Sequence, residues 1–259
     1  MKPLVSVITP IYNGEDTIAK TIESVLNQTL GDLEMIIVDD LSQDNTEQIV
    51  RDYQKKDKRI KYFKLKEKGG AAAARNYALR KAVGRYIAFL DGDDLWYEEK
   101  LEKQINFMKN KDILFSYTDY EYIDENNKKL NIYRKSPRKM SYFRMLIGDS
   151  IGCLTVIYDQ KKIGKINIPN IKKRNDYALW CVILKKIKKG YKYNEILSMY
   201  RKNTDSNSLS SGKKYKLLKY HYQMHRKVNN LGVILSIFFT MTNTINYLCN
   251  RYIREKKIK

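Results

Sequence analysis

The chain has 259 residues, 43% of them hydrophobic, enough for a packed core and too many for a globally disordered polymer. Its formal net charge of +21 is unevenly spread: residues 1–100 hold 16 Lys and Arg against 17 Asp and Glu, residues 101–259 hold 34 against 12. Cys153, Cys181 and Cys249 are far apart and the two histidines, His221 and His225, come late, which excludes a disulfide framework and the usual zinc spacings and suits a reducing cytosol.

The run after Lys2 is short, contains Pro10 and leads into a polar turn, so it does not read as a secretory signal. Leu4 to Thr9 is β-branched and apolar, bounded by Pro10 and Asn13-Gly14, and is expected to be a buried strand. Asp16 to Gln28 has Ile18, Ile22, Val25 and Leu26 at helical spacing. Leu33 to Asp40 is a second strand, Thr46 to Lys56 a helix, Ile60 to Leu65 a third strand, Ala71 to Ala82 a helix opened by Gly69-Gly70, and Arg85 to Leu90 a fourth strand. Strands alternating with helices at this spacing predict βα units and a mostly parallel sheet. Beyond residue 100 the pattern loosens. A helix is expected over Leu101–Met108, a strand or pair of strands over Ile113–Ile123, a basic loop over Lys128–Lys139, a strand over Thr155–Tyr158 and a helix over Asp176–Lys188. Ser206 to Gly212 reads as a linker, and residues 213–259 as a basic helical tail with Glu255 as the one acid. In that tail Leu231, Ile234, Leu235, Phe238, Ile245 and Leu248 share a face, and Ser236, Thr240, Asn243 and Asn250 the opposite one. The stretch Leu231–Cys249 is interrupted by six Ser, Thr or Asn residues, which makes a bilayer span the weaker reading. It suits an interfacial helix, or one packed on the core or on another copy of the chain.

Ligands of open α/β sheets sit beyond the carboxyl ends of the strands. That rule puts Pro10–Glu15, Asp39-Asp40, Gly69–Asn76 and Asp91–Asp94 on one rim. Asp91 and Asp93, separated by a glycine that permits a tight turn, form an oxygen-only pair suited to a hard divalent cation, Mn2+ or Mg2+. Taken alone, the same acids could form a solvated turn, with Asp94 a helix N-terminal charge. Asp40, at the second strand end, is placed to accept hydrogen bonds from a ribose or base. Arg75, one cation among alanines, is placed to pair with Asp40 or reach a nucleotide.

VSVITPIYNGEDTIAKTIESVLNQTLGDLEMIIVDDLSQDNT, then GGAAAARNYAL, then GRYIAFLDGDDLW, in that order, resemble an inverting family 2 glycosyltransferase with the GT-A fold; the likeness is dense over residues 3–100 and resumes at RNDYALW and YRKNTDSNSLSS. The resemblance implies an α/β, Rossmann-like GT-A domain over 1–205, with 1–100 binding nucleotide-sugar, 101–205 on the acceptor side, and 206–259 an appended tail that meets a membrane surface or another copy. It implies that Pro10, Tyr12, Asn13 and Glu15 line the nucleotide pocket and that Asp40 holds the base with Arg75 beside it. Asp91 and Asp93 then form the DxD motif for metal and donor, Arg201 lies near the diphosphate, and Asp176 is the general base. Asn175 stands where the family usually has an acid, and Trp96, Asn175 and Tyr177 are the expected acceptor contacts. The implied reaction moves a sugar from a nucleotide sugar, UDP-linked by default, to a saccharide or lipid-linked saccharide in bacterial surface polysaccharide or lipopolysaccharide synthesis. The implied place is cytoplasmic, peripheral on the inner membrane face, where a polybasic segment attracts anionic lipid. The competing readings are a nucleic-acid-binding protein using the basic half, though no RNA-binding motif is present, and a nucleotide-sugar-binding protein without catalysis.

Overall fold

The computed structural model describes residues 2–148, 150–169, 171, 173–202 and 214–258, without side chains for 214–217 and 247–254. In chain order the elements are β1 (Val5–Ile11), α1 (Ile18–Leu26), β2 (Leu33–Asp39), α2 (Thr46–Lys56), β3 (Ile60–Lys64), α3 (Gly70–Lys81), β4 (Tyr86–Phe89), β5 (Leu95–Trp96) and α4 (Lys100–Asn110). They continue with β6 (Phe115–Ile123), β7 (Lys129–Arg134), β8 (Lys139–Ser141), α5 (Tyr142–Ile147), a 3-10 turn (Cys153–Thr155), β9 (Ile157–Asp159) and α6 (Gln160–Ile163). The chain then forms α7 (Asn175–Ile187), β10 (Lys189–Arg201), α8 (Lys214–Lys227), α9 (Val233–Arg254) and β11 (Glu255–Lys257).

One sheet runs in the order β11-β7-β6-β9-β4-β1-β2-β3, with β10 beside β6. β1 to β4 pair in parallel, as the βα alternation requires. β9 is antiparallel to both β4 and β6, so the sheet is mixed rather than parallel throughout. Alternate residues of a strand point to opposite faces, so Ile8, Ile36 and Val38 enter the core under α3 and α7. Val7, Met35 and Ile37 enter the core under α1, α2 and α4. Both faces are covered, which is why these strands read as unbroken apolar runs.

The chain winds from β1 outward to β2 and β3, then returns to place β4 on the other side of β1. The topological switch point therefore lies between β1 and β4. Their pairing stops at Ile8 and Phe89. Pro10, two residues on and without an N–H, cannot extend it, so the two strand ends separate there.

Several expectations change. Within the expected loop Lys128–Lys139, Lys129–Arg134 is the strand β7 and Lys139 opens β8, which leaves 135–138 as the connection. The strand expected at Thr155–Tyr158 begins at Ile157, after the 3-10 turn. α5 and β10 were not expected at all. The tail adds a strand, β11, antiparallel to β7. The proposed linker at 206–212 lies outside the described residues.

Candidate active site

Two turns meet at the switch point. A Cβ on Gly14 would lie 2.3 Å from Ile11 Cδ1 and a Cβ on Gly92 only 2.1 Å from the same atom, so both turns close over Ile11 only because these residues are glycines. The Gly92 carbonyl accepts from the Thr17 and Thr21 hydroxyls at 2.9 and 3.0 Å, and the Asp94 carbonyl also accepts from Thr21 at 3.0 Å. α1 thus holds the acidic turn by its backbone and leaves the carboxylates unused. Sequence reasoning missed both threonines; their helical spacing and lack of an apolar role were the available signal.

The turn after β1 is fixed to the loop after β2. The Asn13 amide donates to Ser42 Oγ and the Asn13 side-chain oxygen accepts from the Gln43 amide, both at 2.9 Å. Glu15 Oε2 accepts from Asn45 twice, at 3.0 and 2.9 Å. Pro10 is buried in β1, whereas the Tyr12 ring is 41% exposed on the rim with Lys68 Nζ 3.7 Å above it. Of the four residues expected to line a nucleotide pocket, Tyr12 presents an open surface, and the other three shape the turn.

Asp40 is buried, and its two oxygens accept from the Gly69 and Gly70 amides at 2.7 and 2.9 Å. Gly70 has φ +74, a conformation that favours glycine. Asp40 therefore fixes the N-terminus of α3, and Arg75 does not pair with it. Arg75 lies about 8 Å further along that helix at 1.5 Å per residue. There its guanidinium bonds Asp91 and donates from Nη1 to Asn175 Oδ1 at 2.7 Å. Burial opposes this charge, but Asp91 and Asp176 hold its pKa above the ordinary arginine value. Asp91 and Asp176 also act on the buried Cys153 thiol, whose pKa burial raises well above normal. α3 thus joins the end of β2, the acidic turn after β4 and the start of α7, where Asp176 stands half-buried in the first turn.

Burial, then the Asp91 charge, pushes the Asp93 carboxyl up to about 6. Asp94 is raised well above the ordinary carboxylate range, first by burial and then by Asp93 and Asp91. Arg75 and Arg201 act against the rise at Asp93, yet burial and the crowding of the acids outweigh them. Among the described residues no three His, Cys, Asp or Glu converge as a self-sufficient metal site. The oxygen-only pair Asp91 and Asp93, crowded enough to raise Asp93, fits a hard divalent cation that takes its remaining ligands from phosphate and water.

Arg201 is 3% exposed and lies beneath this turn. Its amide donates to Asp94 Oδ1 at 2.9 Å and its Nε to the Asp93 carbonyl at 2.8 Å. Nη1 donates to the Asp124 and Glu125 carbonyls in the β6–β7 hairpin, both at 2.9 Å, and Nη2 to Asn127 Oδ1 at 2.6 Å. With these four side-chain bonds made inside the protein, Arg201 supports the turn rather than reaching a diphosphate. Trp96 and Tyr177, expected at an acceptor, are buried. Trp96 Nε1 donates to the Leu154 carbonyl at 2.8 Å, and the Tyr177 hydroxyl donates to the Met145 carbonyl and accepts from Asn243 at 2.8 Å. Asn175 is also buried and serves Arg75. Trp180 packs edge-on against Phe89 in the core.

A parallel βα half with a carboxylate rim at its switch point, completed by antiparallel strands, is the architecture of a GT-A glycosyltransferase. The solved structure of S. aureus TarS 1–349 with UDP-GlcNAc superposes with a TM-score of 0.69 at 22% identity, covering 96% of this chain and 73% of that one. The mannosyltransferase PcManGT from Pyrobaculum calidifontis, with GDP-Man and Mn2+, gives 0.65 at 14% identity over 97% and 76%. The chain belongs to glycosyl transferase family 2, whose model matches residues 6–160. It is 45% identical, over 89% of its length and 90% of the relative's, to the putative teichuronic acid biosynthesis glycosyltransferase TuaG of Bacillus subtilis. It is 38% identical, over 98% of both chains, to the Escherichia coli UDP-Glc:alpha-D-GlcNAc-diphosphoundecaprenol beta-1,3-glucosyltransferase WfaP.

Proposed function

We infer that this enzyme transfers a sugar from a UDP-sugar to a lipid-linked saccharide during bacterial surface polysaccharide synthesis, with inversion at the anomeric carbon. The observation that carries the reading is the Arg75 bridge, which joins Asp91 to Asn175, next to Asp176, and so sets a donor-binding acid and a basic carboxylate on one rim. The relatives' activities support the donor and acceptor classes.

Asp91 and Asp93 would hold Mn2+ or Mg2+. A cation there would act as a Lewis acid toward the donor's diphosphate. Tyr12 offers its ring to the nucleotide, and Asp40 fixes the glycines that open α3. Asp176 takes the proton from the acceptor hydroxyl as that oxygen bonds the anomeric carbon. The bond from that carbon to the diphosphate oxygen breaks on the opposite face, and its electron pair leaves with the nucleotide. Arg75 keeps Asp91 aligned. Because the acceptor is membrane-linked, the enzyme works peripherally at the cytoplasmic face of the membrane.

A thermal-shift panel of nucleotide sugars with Mn2+ tests the reading, since a ligand that binds the folded state raises the melting temperature. A rise with a UDP-sugar and Mn2+ together, larger than with either alone, is expected. No rise with any nucleotide sugar would overturn it.

A further inference from the structure

α9 is amphipathic, yet it docks with its polar side inward. Ser236, Thr240 and Asn243 are buried together with Phe239. Asn243 Nδ2 donates to the Tyr177 hydroxyl at 2.8 Å and Asn246 Nδ2 to the Ile147 carbonyl at 3.4 Å. α5 approaches so closely that a Cβ on Gly148 would meet Asn246 Nδ2 at 2.7 Å. On the opposite side Ile234, Ile237, Phe238, Met241 and Ile245 stand exposed, Ile234 at 83% and Met241 at 61%. At 3.6 residues per turn these five form one stripe, about 16 Å long from Ile234 to Ile245. Phe143 of α5, 59% exposed and edge-on to Phe239, widens it. A docked helix normally buries such a face. Here the internal hydrogen bonds fix the helix the other way round.

We propose that this outward face of α9 is the surface by which the enzyme lies on an anionic lipid bilayer, with the helix in the interfacial plane. Charge selects the occupant. Exposed Arg226 and Lys227 precede the helix and exposed Lys256 and Lys257 follow it. Glu255, the one acid from 214 to 258, is turned to the Tyr122 hydroxyl at 3.3 Å. An apolar stripe with cations at both ends matches acyl chains flanked by anionic headgroups. A second copy of the chain would set the same cations against each other. No described helix is long and apolar enough to cross the membrane, which agrees with an interfacial position. The proposal deepens the peripheral location inferred above and is independent of the transfer chemistry.

Flotation of the whole protein with vesicles of equal phosphatidylglycerol and phosphatidylcholine, against phosphatidylcholine alone, tests it. The wild type is expected to float with the anionic vesicles, less so at high salt, and little with the neutral ones. The variant Ile234→Ser/Phe238→Ser/Ile245→Ser alters exposed positions only, and is expected to lose at least tenfold in bound fraction. Its circular dichroism and its thermal shift with UDP-sugar and Mn2+ should be unchanged, which separates failure of the surface from failure of the donor reading. Lys256→Glu/Lys257→Glu should weaken binding to the anionic vesicles specifically. A triple variant that floats like the wild type would overturn the proposal. So would a wild-type dimer in light scattering that the triple variant turns monomeric without changing flotation.

Discussion

Replacing Arg201 by Met should weaken both the fold and donor binding, and the size follows from the contacts. The substitution keeps an apolar stem and the backbone bond to Asp94, but removes four side-chain hydrogen bonds at 2.6 to 2.9 Å. Bonds to a charged donor contribute about 1.5–3 kcal/mol each, and a buried acceptor left unpaired costs about 1–3 kcal/mol. Glu125 and Asn127 are exposed, so water can replace two of the lost partners. The Asp93 and Asp124 carbonyls have less access to solvent. The net cost is therefore about 3–5 kcal/mol rather than the sum of four bonds, and in a chain of this size that lowers the melting temperature by roughly 10 °C.

The same loss frees the backbone of Asp93 and Asp94, so the Mn2+-dependent KM for donor should rise several-fold while kcat falls less. Arg201→Lys separates charge from shape. An ammonium keeps the positive potential beneath the turn but cannot reach four diverging acceptors as the planar guanidinium does. It should recover less than half of the stability. Scanning calorimetry with initial rates at varied donor would measure both effects. A methionine variant melting within about 2 °C of the wild type, or a lysine variant restoring everything, would refute the clamp.

Asp176→Asn should reduce transfer by about 10²–10⁴-fold, the range for general-base catalysis, while donor affinity by calorimetry stays the same; equal loss of both would contradict the division of roles. Asp93→Ala should abolish the Mn2+-dependent part of donor binding in titrations with and without the metal, and undiminished binding would remove Asp93 from the metal site. Asp40→Asn leaves one oxygen acceptor for the Gly69 and Gly70 amides, so donor KM should rise several-fold with kcat nearly constant. Burial lowers the pKa of His221 to about 3 and of His225 to about 4, so both are neutral when folded and protonate in the unfolded chain below about pH 6.5. Their contribution is complete above pH 6.5 and is lost as pH falls toward 4, up to about 2 kcal/mol each by pH 5 at about 1.4 kcal/mol per unit. Urea midpoints at pH 7 and 5 should therefore converge in His221→Gln/His225→Gln, and an unchanged gap would count against this.

The first hundred residues were legible because β1, β2 and β4 are buried on both faces, the edge strand β3 alternates, and the helices between them have an apolar side. Every boundary from β1 to β4 falls within a few residues of its expectation. β10 was missed because its ladder with β6 shifts register twice, between Lys192 and Ile196 and again before Met199, which breaks the period of two that identifies a strand. β7 has no buried face, so no alternation marks it. In α9 Ile234, Leu235, Phe238 and Ile245 do lie outward and Ser236, Thr240 and Asn243 inward, whereas Leu231 packs on the core before the helix and the side chains of Leu248 and Asn250 lie outside the described residues; which face turned inward was not readable. Orientation depends on Tyr177, Leu146 and Ile147, which come from α5 and α7 and have no signature in the tail itself. At the site, residue types and spacing located the rim. They could not show that Arg201 and Asn175 are committed to internal partners, or that Trp96 and Tyr177 are covered, because those facts depend on contacts between segments far apart in the chain.

The charge around the rim links these results. Four carboxylates, Asp91, Asp93, Asp94 and Asp176, surround two guanidiniums, Arg75 and Arg201. Asp94, raised well above the ordinary carboxylate range by burial, adds least to the negative charge of this cluster, and Asp93, raised to about 6, is held there against the neighbouring Asp91 charge. Other buried acids of the sheet are paired with cations: Asp119 with Lys192 at 2.8 Å, Asp159 with Arg85 at 2.8 Å and Glu121 with Lys129 at 3.1 Å. The crowding of acids is thus local to the turn after β4, although the chain as a whole is strongly basic. A divalent cation beside Asp91 and Asp93 would relieve their mutual repulsion and favour the ionised form of Asp93. The crowding of acids at the end of β4 is then what the proposed reading needs, in which metal and donor together complete the site.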